Sequence, residues 1–345
     1  MIEKQSQTQS GQHKRRRFFL RVCFCILLVP TTLWAALAIY YSNLPGLLVR
    51  GMCSVLFFIV ALSIAFWAKS FGYRLKTYGV VFGVVLIGWW LIPASNHRDW
   101  QQDAAVLPYA DIAGNTMTIH NIRNFDYTSP TDYTPAYYDK TVYLDQLQTV
   151  DLFLIYWGPE LIAHTILSFG FEDGTYIAIS IETRKEKGES YSAIKGFFKQ
   201  YELTYVVADE KDVVRLRSNY RKEDVYLYRL RTDPESARDV FLDYFKVING
   251  LVDEPKWYNA LTHNCTTTIR GHTQPYNPDI KFDWRMLANG LIDEMGYERG
   301  AIANDRPFEE LKKQSLINPH AQTLDRDSDF SYEIRKERPP GDSVE

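Results

Sequence analysis

The polar part of this chain is almost free of cysteine. Of its 4 cysteines, Cys23, Cys25 and Cys53 fall in apolar segments, and only Cys265 stands in polar sequence. A disulfide framework in that region is therefore excluded. Blocks of positive charge are also missing beyond the run His13-Lys14-Arg15-Arg16-Arg17, and a net charge of −3 gives nucleic acid nothing to hold. The glycines form no phosphate-cradling pattern, and no internal repeat is visible. Cys265, His263 and His272 are the one conceivable zinc set, but they lack any standard ligand spacing. Neither a metal nor a cofactor is expected.

Long uncharged runs, by contrast, fill the first quarter. Val22–Tyr41 is about 20 residues without a charge, enough to cross a bilayer core. Gly51–Ala68 and Tyr78–Ala94 are somewhat shorter and rich in Val, Leu, Phe and Trp. Basic residues precede the first run and, as Lys69, Arg74 and Lys76, separate the second from the third. The loop after the first carries only Arg50. By the positive-inside rule, residues 1–94 are expected to be a cytoplasmic tail and three transmembrane helices, with everything after Ala94 outside. A cleavable signal peptide fits poorly, because no small-residue cleavage site follows the first run and two further spans do. Trp89, Trp90 and Trp100 suit the outer interface. The three cysteines in these runs read as small buried hydrophobes.

From Ser95 the pattern changes to mixed α and β, so the fold class is α+β, with residues 95–300 as an extracytoplasmic domain. Thr116–Arg123, Thr141–Trp157, Leu161–Phe171, Thr175–Thr183, Glu202–Ala208 and Asp224–Arg231 read as strands. Ser190–Tyr201 reads as a helix, since Tyr191, Ile194, Phe197 and Phe198 share a face. Asp233–Val252 is the strongest helix: Asp233 caps it, Pro234 suits its first turn, and Val240, Phe241, Tyr244, Val247, Ile248 and Leu251 form its apolar stripe. Asp283–Met295 is a further helix. Residues 301–345 form an extension, and after Asn318 the charged, Pro-ended sequence predicts a loosely ordered tail.

In an oxidising compartment a lone thiol is either buried and inert or kept for chemistry. Cys265 sits in His263-Asn264-Cys265-Thr266-Thr267, where Asn264 is placed to cap a helix that Cys265 opens. Free backbone amides and the helix dipole at such a terminus favour a thiolate and can stabilise an oxyanion. A nucleophilic thiol needs a base, and the base needs an orienting group. His164 supplies the first. Pairing across a three-residue Glu172-Asp173-Gly174 loop sets His164 opposite Glu182, Ile166 opposite Ser180 and Ser168 opposite Ala178. Leu167, Phe169, Ile177, Ile179 and Ile181 then form the apolar face. A two-residue turn would separate His164 from Glu182, and the polar grouping favours the first register. His263 and His272 are rival bases. Asn264 and Thr266 beside the sulfur, and Arg184 and Lys187 as cations for an anionic headgroup or carboxylate, are candidate substrate contacts.

The segments Trp157-Gly158, Ala163-His164-Thr165, Ser168-Phe169, Ser180-Ile181-Glu182-Thr183-Arg184-Lys185-Glu186 and Asn264-Cys265-Thr266-Thr267 together resemble the extracytoplasmic domain of the Lnb-type lipoprotein acyltransferases. The likeness covers about residues 105–275, in the expected order. It implies kinship with circularly permuted papain-like (NlpC-type) thiol enzymes, with an antiparallel sheet packed on helices. It also implies Cys265 as nucleophile, His164 as base, and membrane lipids and lipoproteins as partners. Glu182 as third member follows from the strand pairing alone. The reaction implied moves an acyl chain from a lipoprotein glyceryl ester to an amine, in a multi-pass protein of the bacterial inner membrane with its domain in the periplasm. Three spans before the domain and none after it depart from the family pattern. A hydrolase acting on amides of peptidoglycan or lipidated substrates, and a non-catalytic lipid- or lipoprotein-binding module, stay open.

Overall fold

The computed structural model describes residues 19–336 apart from 20, 23, 25, 68, 69, 263, 277–280, 282, 303, 304 and 325–327. The chain forms two compact units. One comprises residues 1–94 with Phe198–Gln200, and the other Ser95–Phe197 with Tyr201–Glu345.

In the first unit three apolar helices follow one another: α1 (Ile26–Tyr40), α2 (Leu47–Trp67) and α3 (Phe71–Trp90). Among the described residues only α2 is long and apolar enough to cross a membrane. It is hydrophobic all round, with Met52 and Leu56 on its outer surface, as a helix surrounded by hydrocarbon would be. α1 is described without a break from Ile26, and Val22 and Phe24 ahead of it are helical too, so the expected start at Val22 stands within the described residues. α3 starts seven residues before the expected Tyr78, takes Arg74 and Lys76 into its first turns, and ends at Trp90 rather than Ala94. The basic run His13–Arg17, Lys69, Cys23 and Cys25 lie outside the described residues.

The second unit is built on an eight-stranded sheet. Its strands in chain order are β1 (Tyr109–Ala113), β2 (Thr116–Arg123), β5 (Tyr137–Tyr143), β6 (Leu147–Tyr156), β7 (His164–Phe171), β8 (Tyr176–Arg184), β9 (Glu202–Ala208) and β10 (Asp224–Arg229). Between β2 and β5, the short strands β3 (Asp126–Tyr127) and β4 (Tyr133–Thr134) pair with each other. The spatial order is β1-β2-β9-β8-β7-β6-β10, with β5 also on β2. All pairings in the large sheet are antiparallel except the single contact of β2 with β9.

The hairpin β7–β8 has the three-residue register: Ile166 faces Ser180 and Ser168 faces Ala178. Gly174, at φ +82°, closes its turn in a backbone conformation that side-chain-bearing residues avoid.

Both faces of the sheet are covered, which is why β7 and β9 are buried along their whole length. One face carries Leu167, Phe169, Ile177, Ile179 and Ile181 against Phe241, Tyr244 and Ile248 of a long helix, Pro234–Asp253. Asp233 caps that helix by accepting the Ser236 amide. The other face packs Phe153, Ile155, Ile166 and Val206 against Val213, Val214, Ile317, Phe330 and Ile334.

Three expectations fail here. The helix predicted over Ser190–Tyr201 is reduced to the single turn Ala193–Gly196, because Lys199 adopts φ +51° and Tyr201 turns its hydroxyl onto Ser190 and Ser192. The helix predicted over Asp283–Met295 breaks into two 3-10 turns before Ile292–Glu298, since Asn289 and Gly290 are drawn against the chain at Glu160–Ala163. The expected loose tail after Asn318 is packed where it is described, through Lys336 apart from residues 325–327. Helices Asn318–Ala321 and Phe330–Lys336 bury Ala321, Phe330 and Ile334 on the second layer.

Candidate active site

A helix spanning Cys265–Thr273 starts at the sulfur-bearing residue itself. Asn264 caps it: its side-chain oxygen accepts the Thr267 amide at 2.9 Å, and the Thr267 hydroxyl accepts the Asn264 amide at 3.1 Å. This reciprocal capping box satisfies those donors. The amides of Cys265 and Thr266 are left without a protein acceptor among the described residues and form the positive end of the helix.

His164 is the first residue of β7, and its ring is held from the neighbouring strand. Its Nε2 lies 2.7 Å from Ser180 Oγ and 3.0 Å from Glu182 Oε1. The Ser180 hydroxyl donates to the same Glu182 oxygen at 2.8 Å, and Arg217 Nη2 donates to it at 3.3 Å. Arg217 is itself tied to Glu223 at 3.1 Å. Because Ser180 and Glu182 are two apart on one strand, both point to the face that His164 shares. With Nε2 engaged there, Nδ1 is the nitrogen left for Cys265, and the two side chains shift each other's ionisation.

The sulfur is further hedged by neighbours. Asn289 Nδ2 approaches Sγ at 3.5 Å, and Thr266 Oγ1 lies at 4.0 Å. Asn289 is locked by two bonds to one residue: it accepts the Ala163 amide at 2.9 Å and donates to the Ala163 carbonyl at 2.5 Å. That close approach requires glycine next door, because a Cβ on Gly290 would lie 1.9 Å from the Glu160 carbonyl oxygen.

The electrostatics follow from this packing. Burial pushes the Cys265 thiol up, but the hydrogen bond and charge of His164, with the hydroxyl and amide of Thr165, outweigh it and bring the pKa down to about 7. Burial pulls His164 down, yet Glu182 and the bonded thiol raise it to about 9. Burial also opposes ionisation of Glu182, and His164, Arg217 and Ser180 overcome that, holding its carboxyl well below the usual range. Thiolate and imidazolium therefore coexist between about pH 7 and pH 9. The pair opens on a cavity of about 460 Å³ lined also by Trp157, Tyr191, Tyr258 and Asn264. Cys265 is 8% exposed and lines that cavity.

Cys265, His164, Glu182, Asn264 and Thr266 thus come together. Arg184 does not join them as a headgroup contact. It is buried, donates to the carbonyls of Ala104 and Ala105 and to Asn96, and stacks on Trp100, so its guanidinium is committed to the fold. Lys187 is also elsewhere, exposed and paired with Asp99 at 2.6 Å, outside the cavity lining. The rival His272 is buried between Asp243 at 2.7 Å and Tyr205 at 2.8 Å, and His263 lies outside the described residues. Among the described residues no cluster of three metal-ligating side chains occurs.

Sequence reasoning missed Ser180, Arg217 and Asn289. The i, i+2 spacing of Ser180 and Glu182 was a usable signal for the first. Arg217 follows a helix with no motif of its own, and Asn289 sits where a regular helix was expected, so neither carried one.

Residues 133–290 match the family model of the Lnb N-terminal periplasmic domain, bearing out the family likeness seen in the short motifs. No curated protein and no solved structure matches the chain. A periplasmic domain family together with the apolar helix α2 fits a membrane-anchored protein.

Proposed function

Starting from a chain whose residues 133–290 belong to the Lnb N-terminal periplasmic domain family, we propose that this protein is a cysteine-dependent acyltransferase anchored in the inner membrane by its three N-terminal helices. It moves a fatty acyl group from a glycerolipid ester, that of a lipoprotein, to an amine. The observation that carries this reading is the Cys265–His164–Glu182 group at the end of one cavity, with the sulfur at a helix N-terminus. The order of a His strand followed by a Cys helix also supports a permuted papain-like arrangement.

In the first step the Cys265 thiolate attacks the ester carbonyl carbon, and the oxyanion that forms lies against the free amides of Cys265 and Thr266. As the carbon–oxygen bond to glycerol breaks, His164 gives its proton to the leaving oxygen, and an acyl-thioester remains on Cys265. A neutral amine then attacks the thioester. His164 takes the amine proton, the carbon–sulfur bond breaks, and an amide and the thiolate are released. Glu182 and Ser180 keep the ring turned to the sulfur throughout, and Glu182 balances the imidazolium charge.

Water in place of the amine would make the same group a hydrolase, and the acceptor alone separates the two. The test is expression of Cys265→Ala and His164→Ala chains in a strain whose lipoprotein N-termini are read by mass spectrometry. Loss of the N-acylated, lyso-type form in both variants is expected. An unchanged acylation pattern removes lipoproteins as substrate. Acyl transfer retained by purified Cys265→Ala protein with a lipid ester removes the thiol mechanism altogether.

A further inference from the structure

Asn289 does more than its place in the fold requires. It is buried, opens the 3-10 turn Asn289–Leu291 and lines the cavity that holds Cys265. Its carboxamide spans one residue of the neighbouring segment: Oδ1 accepts the Ala163 amide at 2.9 Å, and Nδ2 donates to the Ala163 carbonyl at 2.5 Å. Those two bonds fix which end of the carboxamide is nitrogen, because an N–H must face an acceptor and a carbonyl oxygen a donor. The backbone beside it is held as well. The Tyr156 hydroxyl donates to the Gly290 carbonyl at 2.6 Å, and the Gly290 amide donates to the Leu161 carbonyl at 3.2 Å. Asn289 cannot swing away without breaking this crossing.

Joining the two segments uses Oδ1 and one of the two N–H groups on Nδ2. The second N–H is left over, and the atom that Nδ2 meets besides the Ala163 carbonyl is Cys265 Sγ, at 3.5 Å. A thiol sulfur is a weak acceptor, so a buried donor aimed at it is poorly satisfied in the resting site. Such a donor gains most when negative charge appears beside it. In attack on an ester that charge develops on the carbonyl oxygen, which hangs on the carbon that the sulfur joins. A fixed donor in contact with the sulfur is therefore within reach of that oxygen.

We propose that Asn289 is a catalytic residue of the acyl transfer, its second Nδ2 hydrogen donating to the oxyanion alongside the helix amides of Cys265 and Thr266. This deepens the thiol acyltransferase reading and rests on it for the reaction itself. As the bond from Cys265 Sγ to the carbonyl carbon forms, an electron pair moves onto the oxygen. The Asn289 hydrogen bond then tightens, and no proton leaves Nδ2. When the pair returns, the glycerol oxygen departs with the His164 proton and the acyl-thioester is left. Attack by the amine rebuilds the oxyanion at the same place, so both steps draw on Asn289.

The test uses the full chain in detergent and compares two reactions of the one sulfur. p-Nitrophenyl hexanoate acylates Cys265 through an oxyanion, whereas iodoacetamide alkylates it at a saturated carbon with none. Both rates are taken on each protein's own high-pH plateau, so that any change in thiol ionisation drops out. Asn289→Ala and Asn289→Asp should each slow acylation about 100-fold or more, while plateau alkylation stays within about threefold of wild type. Asn289→Asp keeps the shape of the side chain and the acceptor for the Ala163 amide, so it carries the comparison if Asn289→Ala fails to fold. Acylation at the wild-type rate, or slowed no more than alkylation, overturns the oxyanion role and leaves Asn289 holding the fold alone. Wild-type protein that gains no acyl adduct in its intact mass overturns the thiol mechanism first, and the role of Asn289 falls with it.

Discussion

At the residue scale the reactivity of one sulfur depends on one imidazole, and both titrate within reach of ordinary buffers. The rate of Cys265 alkylation by iodoacetamide should rise with a midpoint near pH 7, the value to which His164 and Thr165 bring the thiol. Removing the imidazole in His164→Ala leaves the thiol buried beside fewer stabilising groups, so the midpoint should move up, to about 8.5 or above. An unchanged midpoint would disconnect the two side chains. The proposed acyl transfer needs thiolate and imidazolium together. Its rate should therefore rise through about 7 as the thiol ionises, and fall through about 9 as His164 loses its proton. Glu182→Gln removes the carboxylate that raises His164, and the falling limb should move to lower pH by about one unit or more. Ser180→Ala leaves the carboxylate but removes the 2.7 Å partner of Nε2, so its effect should appear in the rate more than in the falling limb. Equal pH profiles for Glu182→Gln and the wild type would remove Glu182 from the group.

At the scale of elements, two short features present the sulfur. The capping box at Asn264 sets where the helix begins, and hence that Cys265 occupies its first turn. Asn264→Ala should cost about 1 kcal/mol of stability, measured by urea denaturation of the whole chain in detergent, and Asn264→Asp should recover most of it. The second feature is the approach of the Asn289-Gly290 turn to the chain at Glu160–Ala163. Gly290→Ala meets a backbone carbonyl that no side-chain rotation can move aside. We expect a destabilisation of about 1–3 kcal/mol, with loss of the Asn289 bonds to Ala163. A Gly290→Ala protein with native melting behaviour and native thiol reactivity would show that this crossing does not position the site.

At the scale of the molecule, the C-terminal helix reaches back across the sheet. Arg335 pairs with Asp151 at 2.8 Å and with Glu210 at 2.5 Å, both carboxylates nearly sealed from solvent, and lies 3.6 Å from the Tyr176 ring centre. Ser168 donates to Glu210 and Arg229 shares Asp151, so the helix, the central strands and the second layer meet at one ionic cluster. Arg335→Ala leaves Glu210 buried without its cation, and a loss of about 3 kcal/mol or more is expected in denaturation. Since the same layer carries Val213 and Val214 ahead of Arg217, the variant should also slow Cys265 alkylation. Stability within about 0.5 kcal/mol of wild type would mean that the cluster contributes little.

What the amino-acid order settled by itself is everything written at short range or by period. Three apolar runs, the β-strands at Thr116–Arg123 and Glu202–Ala208, the capped helix after Asp233 and the hairpin register that sets His164 and Glu182 on one face were all legible. Local propensity, capping and side-chain alternation act between near neighbours, and the short motifs around His164 and Cys265 carried the family likeness. Where the chain folds back on itself from afar, those signals ended. Arg184 resembled a free cation until the carbonyls of Ala104 and Ala105 enclosed it. The tail after Asn318 resembled loose chain until Phe330, Ile334 and Arg335 found the sheet. Asn289 and Arg217 entered the site only because packing outweighed helix propensity in one case and buried charge demanded a partner in the other. Contacts between residues far apart in the chain leave no periodic trace, so the tertiary structure alone decided them.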